Sequence, residues 1–356
     1  MNNIARIQEK LAQKGLDAVL VVGEKNQRYA AGFPFTDGYV LVGREKAWLI
    51  TDSRYIEAAQ AAAPACVTVQ MFDREHPPIS LIKAALADAQ VETLGAEEKD
   101  MSYGRYLALE KELGLALQPA QSIFTELRAC KLEQELQSMR QAQRISELAL
   151  EETLPVIKSG MTEREVAAEL VYRMLRHGSE GNSFDPIVVT GSKTSLPHGV
   201  PGDKVIQAGD FITMDFGSLK DGYCSDMTRT VAVGSVTDEM RNVYDIVLKA
   251  QLAGIAAAKA GVPGSVIDGA ARKVISDAGY GAYFGHGFGH SLGLDIHEDP
   301  RLAPTATAPM PAGCVVSAEP GIYLPGRFGV RIEDVMVLKE GGCEVITRAP
   351  KELIIL

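Results

Sequence analysis

Blocks of alternating apolar and polar residues divide the first 120 positions into elements of ordinary length. The opening MNNIARIQEKLAQKG predicts an amphipathic helix with interspersed charges, and DAVLVV, GYVLVG and AWLIT predict short buried strands. DSRYIEAAQAAA, SLIKAALADA and YGRYLALEKEL carry the helical period, whereas AQSIFTELRACK reads as a connection. From Leu132, KLEQELQSMRQAQRISELALEETLPVIKSG predicts one long helix that runs until Gly160 stops it. Thr162 and Glu165 then fit a capping box ahead of MTEREVAAELVYRMLRHG. DPIVVTGS predicts a strand, and MRNVYDIVLKAQLAGIAAAKAG and SVIDGAARKVISDAGY predict two further helices. The expected fold class is α/β (α+β), with one domain over residues 1–125 and a second over 126–356.

Within the second domain one unit is used twice. AGDFITMDFG (Ala208 to Gly217) and AGCVVSAEPG (Ala312 to Gly321) place Ala-Gly, an apolar strand, a carboxylate and a glycine at identical offsets. Strand alternation puts Thr213 on the face of Asp215, and Ser317 on the face of Glu319. A second acid follows each strand after a glycine-containing turn, Asp226 in CSDMTRTVAV and Glu333 in GVRIEDVMVL, so each unit reads as a hairpin with an acid on both arms. Burying an unpaired carboxylate in an apolar strand costs several kcal/mol or forces its protonation. Two such hairpins converging on a shared cation resolve that cost, and the domain becomes a pair of helix-plus-hairpin halves.

Composition narrows the partners. The 356 residues are 46% hydrophobic and 23% charged, ordinary for a globular chain. A net charge of -10 without a Lys/Arg block argues against nucleic acid and is otherwise a solvated surface. No run resembles a signal peptide or a membrane span, and the five cysteines, Cys66, Cys130, Cys224, Cys314 and Cys343, form no CxxC pair, so a reducing, cytoplasmic setting is expected. Cys224 shares strand parity with Asp226, although a small buried apolar role is the favoured reading.

Between the hairpins lies GHGFGHSLGLDIHEDP, which holds His286, His290 and His297, three of the six histidines. GHGFGHSLG does not give GxGxxG, so a dinucleotide loop is set aside. Each histidine alone reads best as a hydrogen-bonded core residue; beside four acids they suggest an oxygen-rich, one-nitrogen site for two divalent ions, suited to manganese or cobalt. Two ions about 3.5 to 4 Å apart can bridge a water, lower its pKa and present it to a carbonyl carbon. Hydrolysis further needs a proton acceptor, an oxyanion donor and a hold on the departing amine, for which Glu319, His297 and His198 are the candidates.

SFDPIVVTGSKTSLPHG, MDFGSLKDGYCSDMTRT, GHGFGHSLGLDIHEDP, SAEPGIY and GVRIEDV resemble, in order and spacing, the metallopeptidase family that contains methionine aminopeptidase, prolidase and Xaa-Pro aminopeptidase, whose fold is called pita-bread. TDSRY, at Thr51 to Tyr55, resembles the creatinase-type N-terminal domain of the proline-specific branch. The resemblance implies that Asp215 chelates one metal, that Asp226 and Glu333 bridge both, and that His290 and Glu319 complete the shell. It also places His297 at the scissile carbonyl, His198 near the scissile nitrogen and His286 at the substrate. Arg331, two residues from Glu333, is expected to point into the site and hold a substrate carboxylate or an acid ligand. The implied activity is cleavage of an Xaa-Pro bond by a bridging hydroxide, with two divalent ions, manganese first, cobalt or zinc next. The implied partners are small peptides with proline in second place and a second copy of the chain. Phe33, Phe35 and Asp37 in AGFPFTDG form the candidate loop for reaching a partner subunit; His76 is the only histidine of the first 120 residues. A general or methionine-type aminopeptidase, or a ligand-free binding protein of the same fold, is the alternative; all five ligand positions are intact here.

Overall fold

The computed structural model describes residues 2–356, and the chain divides into two compact units, Met1–Arg128 and Ala129–Leu356. The first contains α1 (Asn3–Lys14), β1 (Ala18–Val21), α2 (Glu24–Ala31), β2 (Gly38–Gly43), β3 (Ala47–Thr51), α3 (Ile56–Ala62), β4 (Val67–Met71), α4 (Pro78–Asp88), β5 (Leu94–Ala96), α5 (Tyr103–Leu113), β6 (Leu117–Pro119) and α6 (Gln121–Ala129). Its strands form one six-stranded sheet in the order β4-β3-β2-β1-β5-β6, antiparallel at β3-β2-β1 and parallel at the other pairings. Ile4, Ile7 and Leu11 are the buried stripe of α1, spaced three and four apart as an amphipathic helix requires.

Two helices here depart from the sequence reading. Only the buried Tyr29, Ala30 and Ala31 give α2 apolar weight; its Asn26 and Gln27 are also buried, and Gln27 Nε2 donates to the Val21 and Gly38 carbonyls at 3.1 and 2.9 Å. AQSIFTELRACK, expected to be a connection, is largely the helix α6. The loop of Phe33 and Phe35 also differs from expectation. Both rings are buried and stack at 5.2 Å, so they belong to the packing of the protein; Asp37 is exposed and pairs with Arg54 at 2.8 Å.

The second unit contains α7 (Glu133–Thr153), α8 (Glu163–Arg176), β7 (Ile187–Thr190), β8 (Phe211–Phe216), β9 (Leu219–Lys220), β10 (Tyr223–Cys224), β11 (Met227–Ala232), α9 (Asp238–Ala257), α10 (Gly264–Asp277), β12 (Gly289–Ser291), β13 (Glu298–Leu302), β14 (Val315–Ala318), β15 (Gly321–Leu324), β16 (Phe328–Arg331), β17 (Asp334–Lys339) and β18 (Gly342–Val345). α7 stops at Thr153, short of Gly160, and a 3-10 turn follows over Leu154–Val156. Pro155 is the cause: it lacks the N–H and its ring clashes with the preceding turn. The capping box at Thr162 and Glu165 is present, with the Glu165 N–H donating to Thr162 Oγ1 at 3.2 Å and the Thr162 N–H donating back to Glu165 Oε2 at 2.7 Å.

The two halves repeat one plan. Ile212, Met214 and Phe216 of β8 pack with Ala149 of α7 and Val166, Leu170 and Met174 of α8, all fully buried. Val316 and Ala318 of β14 pack in the same way with Val247 of α9 and Ile267 and Ala271 of α10. Truncating such a side chain to alanine costs about 2–5 kcal/mol. Alternation then forces Thr213, Asp215 and Ser317 to the opposite faces of their strands, toward a common centre. β8 pairs antiparallel with β11, and β14 with β17, so the acid-bearing hairpins exist as such. A β15-β16 ribbon lies between Glu319 and Glu333, and carries Arg331.

Candidate active site

Asp215 lies on β8, His290 on β12, and Asp226, Glu319 and Glu333 at the ends of β11, β14 and β17. They line one cavity of about 550 Å³ together with His198, His286, His297, Arg301, Tyr323 and Arg331. Every site residue expected from the sequence is therefore in one place. Donor atoms of Asp226, His290 and Glu333 lie within 4.8 Å of one another. His290 Nε2 is 3.3 Å from Glu319 Oε1 and 3.6 Å from Asp226 Oδ2, while its Nδ1 faces the Ser291 carbonyl at 3.1 Å, which fixes Nδ1 as the protonated nitrogen of the neutral ring and leaves Nε2 as donor to a metal. Ser317 performs the task its strand face suggested, donating to Glu319 Oε1 and accepting from the His290 N–H, both at 3.0 Å. Thr213 instead meets Thr230 at 3.1 Å.

Glycine closes both halves. A Cβ on Gly217 would lie 1.9 Å from the Ser225 carbonyl oxygen, and one on Gly289 would lie 2.0 Å from that of Ser317. The main chains touch there, next to Asp226 and His290.

Electrostatics set the acids apart. Burial raises the Asp226 pKa well above the carboxylate range, and repulsion from Glu333, Asp215 and Glu319 adds to it. Glu333 is likewise raised, by burial and then by Glu319 and Asp215. For Asp215 burial also prevails, although the Arg331 guanidinium opposes it. Glu319 goes the other way: against burial, the His290 imidazole and then His286 and Arg331 hold it down to about 2. His290 is correspondingly raised, the Glu319 carboxylate outweighing burial. Asp215 Oδ1, Asp226 Oδ1 and Glu333 Oε1 are buried with no hydrogen-bond partner. Orphaned carboxyl oxygens converging beside the Nε2 of His290 are the donor set of hard, oxygen-preferring divalent ions, so the residues fit such a group.

Arg331 is committed to the site itself. It is 4% exposed; Nη2 donates to Asp215 Oδ2 at 2.6 Å, Nη1 to the Tyr323 hydroxyl at 2.9 Å and the Pro197 carbonyl at 3.3 Å, and Nε to Thr228 Oγ1 at 3.0 Å. Of the two tasks expected for it, holding an acid ligand is the one its bonds serve. Thr228, unmarked in the sequence, passes the link onward by donating to Glu333 Oε2 at 2.7 Å. Tyr323, also unmarked, stands between Arg331 and His286, whose Nε2 is 2.9 Å from its hydroxyl. With the Tyr323 oxygen accepting from Arg331, its proton goes to His286 Nε2, and His286 Nδ1–H donates to the Gly287 carbonyl at 2.8 Å. Burial lowers the His286 pKa, in keeping with that neutral ring. His297 is exposed, its ring edge-on to His290 at 4.4 Å, and desolvation of its covered face, followed by the neighbouring His290, lowers its pKa. Its neighbour Glu298 is pinned by the buried Lys131 at 3.0 Å. Arg301, with a side chain 60% exposed, is a further cation on the cavity wall that the sequence did not single out. Cys224 is buried beside the Leu294 carbonyl, the bland role.

Comparison with known proteins agrees with this geometry. The profile of Metallopeptidase family M24 matches residues 137–340, and that of the Creatinase/Prolidase N-terminal domain matches residues 3–130. The chain is 33% identical to a Xaa-Pro dipeptidase of Pyrococcus horikoshii over 99% of its own length and 98% of that protein's. A solved Xaa-Pro dipeptidase from Bacillus anthracis superposes with a TM-score of 0.95 at 40% identity, covering 99% of both chains. An X-Pro aminopeptidase from Thermotoga maritima superposes with a TM-score of 0.93 at 37% identity, covering 98% of this chain and 99% of that one. No described helix is long and apolar enough to cross a membrane. Two carboxylate-bearing hairpins, a histidine strand between them and a creatinase-type first unit thus have one explanation: the chain belongs to metallopeptidase family M24, enzymes with the pita-bread fold that use divalent metal ions.

Proposed function

We propose that the protein is an exopeptidase that hydrolyses the bond between an N-terminal residue and proline, with Xaa-Pro dipeptides as its main substrates and two manganese ions held by Asp215, Asp226, His290, Glu319 and Glu333. The observation that carries this reading is the set of buried, unpartnered oxygens on Asp215, Asp226 and Glu333 at a cavity wide enough for a dipeptide. When bound, the ions supply an activated water and an electrophilic contact for the carbonyl. The chain's own groups do the rest. Glu319, kept ionised, accepts the proton of the attacking water. His297, exposed on the cavity wall and clear of the Glu319–His290 contact, donates to the developing oxyanion. His198 faces the departing prolyl nitrogen, and His286 with Tyr323 borders the substrate.

Proline preference follows from the wall. Phe184, Pro186, Ile187 and Ile296 offer an apolar surface for a ring whose nitrogen carries no N–H. Three methylenes are worth about 2 kcal/mol, some thirtyfold in preference. Because Arg331 is engaged by Asp215, Tyr323 and Thr228, the free carboxylate of a dipeptide is assigned to Arg301. Five widely spaced cysteines with no CxxC pair support a reducing, cytoplasmic setting. The test is to compare kcat/KM of the manganese-loaded protein on Ala-Pro, an Ala-Pro tripeptide and Ala-Ala. Ala-Pro should be cleaved fastest; equal turnover of Ala-Pro and Ala-Ala would point to a general aminopeptidase.

A further inference from the structure

Glu163 is the first residue of α8, yet its side chain is fully buried, unlike an ordinary first-turn acid facing water. The carboxylate reaches across to the segment 190–202. Oε1 accepts from the Thr190 N–H at 2.9 Å; Oε2 accepts from the Gly202 N–H at 3.0 Å and from the Lys193 ammonium at 2.5 Å. The same ammonium donates to the Val200 carbonyl at 2.9 Å. One carboxylate and one lysine therefore tie both ends of an arm whose middle carries Pro197 and His198. The arm also seats on β16, through the Gly329 N–H on Thr194 Oγ1 at 2.8 Å and Arg331 on the Pro197 carbonyl at 3.3 Å. His198 itself is exposed at the cavity, and no hydrogen bond to another described residue holds its imidazole. Its place is set by the arm's backbone alone.

We propose that Glu163 and Lys193 form a positioning clamp for His198, acting on catalysis only through that imidazole. The inference rests on the role given to His198 above. A buried acid that served α8 alone would influence stability and nothing else. A clamp has two distinct signatures, in the arm's motion and in the coupling of mutants.

The variants are Glu163→Gln, which keeps the shape, and Lys193→Met, which keeps the stem; if one fails to fold, the other carries the comparison. The Leu196 and Gly199 amides, hydrogen-bonded within the arm at 2.9 and 3.1 Å, report its order by hydrogen exchange. In either variant their exchange should accelerate at least about tenfold, while calorimetric manganese affinity stays within about twofold of wild type. On Ala-Pro, kcat/KM should fall about tenfold or more in each variant. Adding either substitution to His198→Ala should cost almost nothing further, because the losses share one residue. Losses that multiply, or unchanged exchange at Leu196 and Gly199, would overturn the clamp. Failure of the wild-type protein to cleave any Xaa-Pro substrate would defeat the proposed function, with the exchange rates still deciding the clamp.

Discussion

Glu97 of the first unit and Asp226 of the second are both buried carboxylates, but their oxygens have opposite fates. Glu97 Oε2 accepts from the N–H groups of Val22 and Gly23, and Oε1 accepts from Asn26 at 2.6 Å, so the acid closes the N-terminus of α2. Asp226 Oδ1 has no partner, and its nearest charged neighbours include three other acids. Burial raises both pKa values, Glu97 to about 7; donors temper the rise in one case, and like charges enlarge it in the other. Burial of an acid is therefore no mark of function by itself. Convergent lone pairs without donors are.

The largest effect should come from Asp226→Asn. On the proposed ligand set, its loss should lower kcat/KM by about a thousandfold or more, as removal of a residue acting in a catalytic unit does. The metal-free variant should melt at or above the temperature of the metal-free wild type, since a repelled charge has gone. A clearly lower melting temperature would make Asp226 structural, like Glu97. Next is His297→Ala, for which kcat should fall by about two to three powers of ten with bound manganese unchanged by metal analysis. Loss of metal there would mean that His297 is a ligand.

On the other side of the comparison, Glu97→Ala leaves the Val22 and Gly23 N–H groups without their side-chain acceptor, while the Asn26 amide keeps Asp100 at 3.3 Å. Unfolding by denaturant should show a loss of at least about 2 kcal/mol, at about 1–3 per orphaned group, while metal affinity stays unaltered. The smallest effect is a slope. A carboxyl that titrates near 4.5 unfolded and about 7 folded favours the fold below pH 4.5, and that contribution is lost as pH rises through 7. Wild type should lose stability relative to Glu97→Gln between about pH 4.5 and 7, by at most about 3 kcal/mol, and the difference should be flat above. A flat difference throughout would show the donors holding Glu97 ionised.

What the sequence revealed, and what it concealed, follows the range of each interaction. The acid hairpins were legible because period-two alternation is local, and Ser317 followed from the same parity. The capping box at Thr162 is local too. Asn26 and Gln27 are polar residues at buried positions whose partners lie 6 to 102 residues away, so α2 left little apolar trace. In the site, Thr228 and Tyr323 act through Arg331, which only the fold brings to them. One faint signal existed for Tyr323. Gly321 pairs with Arg331 and Gly329 with Tyr323, and a Cβ on either glycine would strike the tyrosine ring, at 2.5 Å from the hydroxyl oxygen for Gly321. Glycines facing an aromatic and an arginine across a ribbon mark a large side chain lying flat.

The contacts of Gly217 and Gly289 bear on how this chain can drift. Aspartate and glutamate are similar enough that an acid position can be exchanged and the neighbours readjust. No neighbour can readjust around a methyl group placed 1.9 or 2.0 Å from a carbonyl oxygen of the facing main chain. In a library of random substitutions selected for growth on proline-containing peptides, these two positions should be as intolerant as any ligand, although neither has a side chain to offer the substrate.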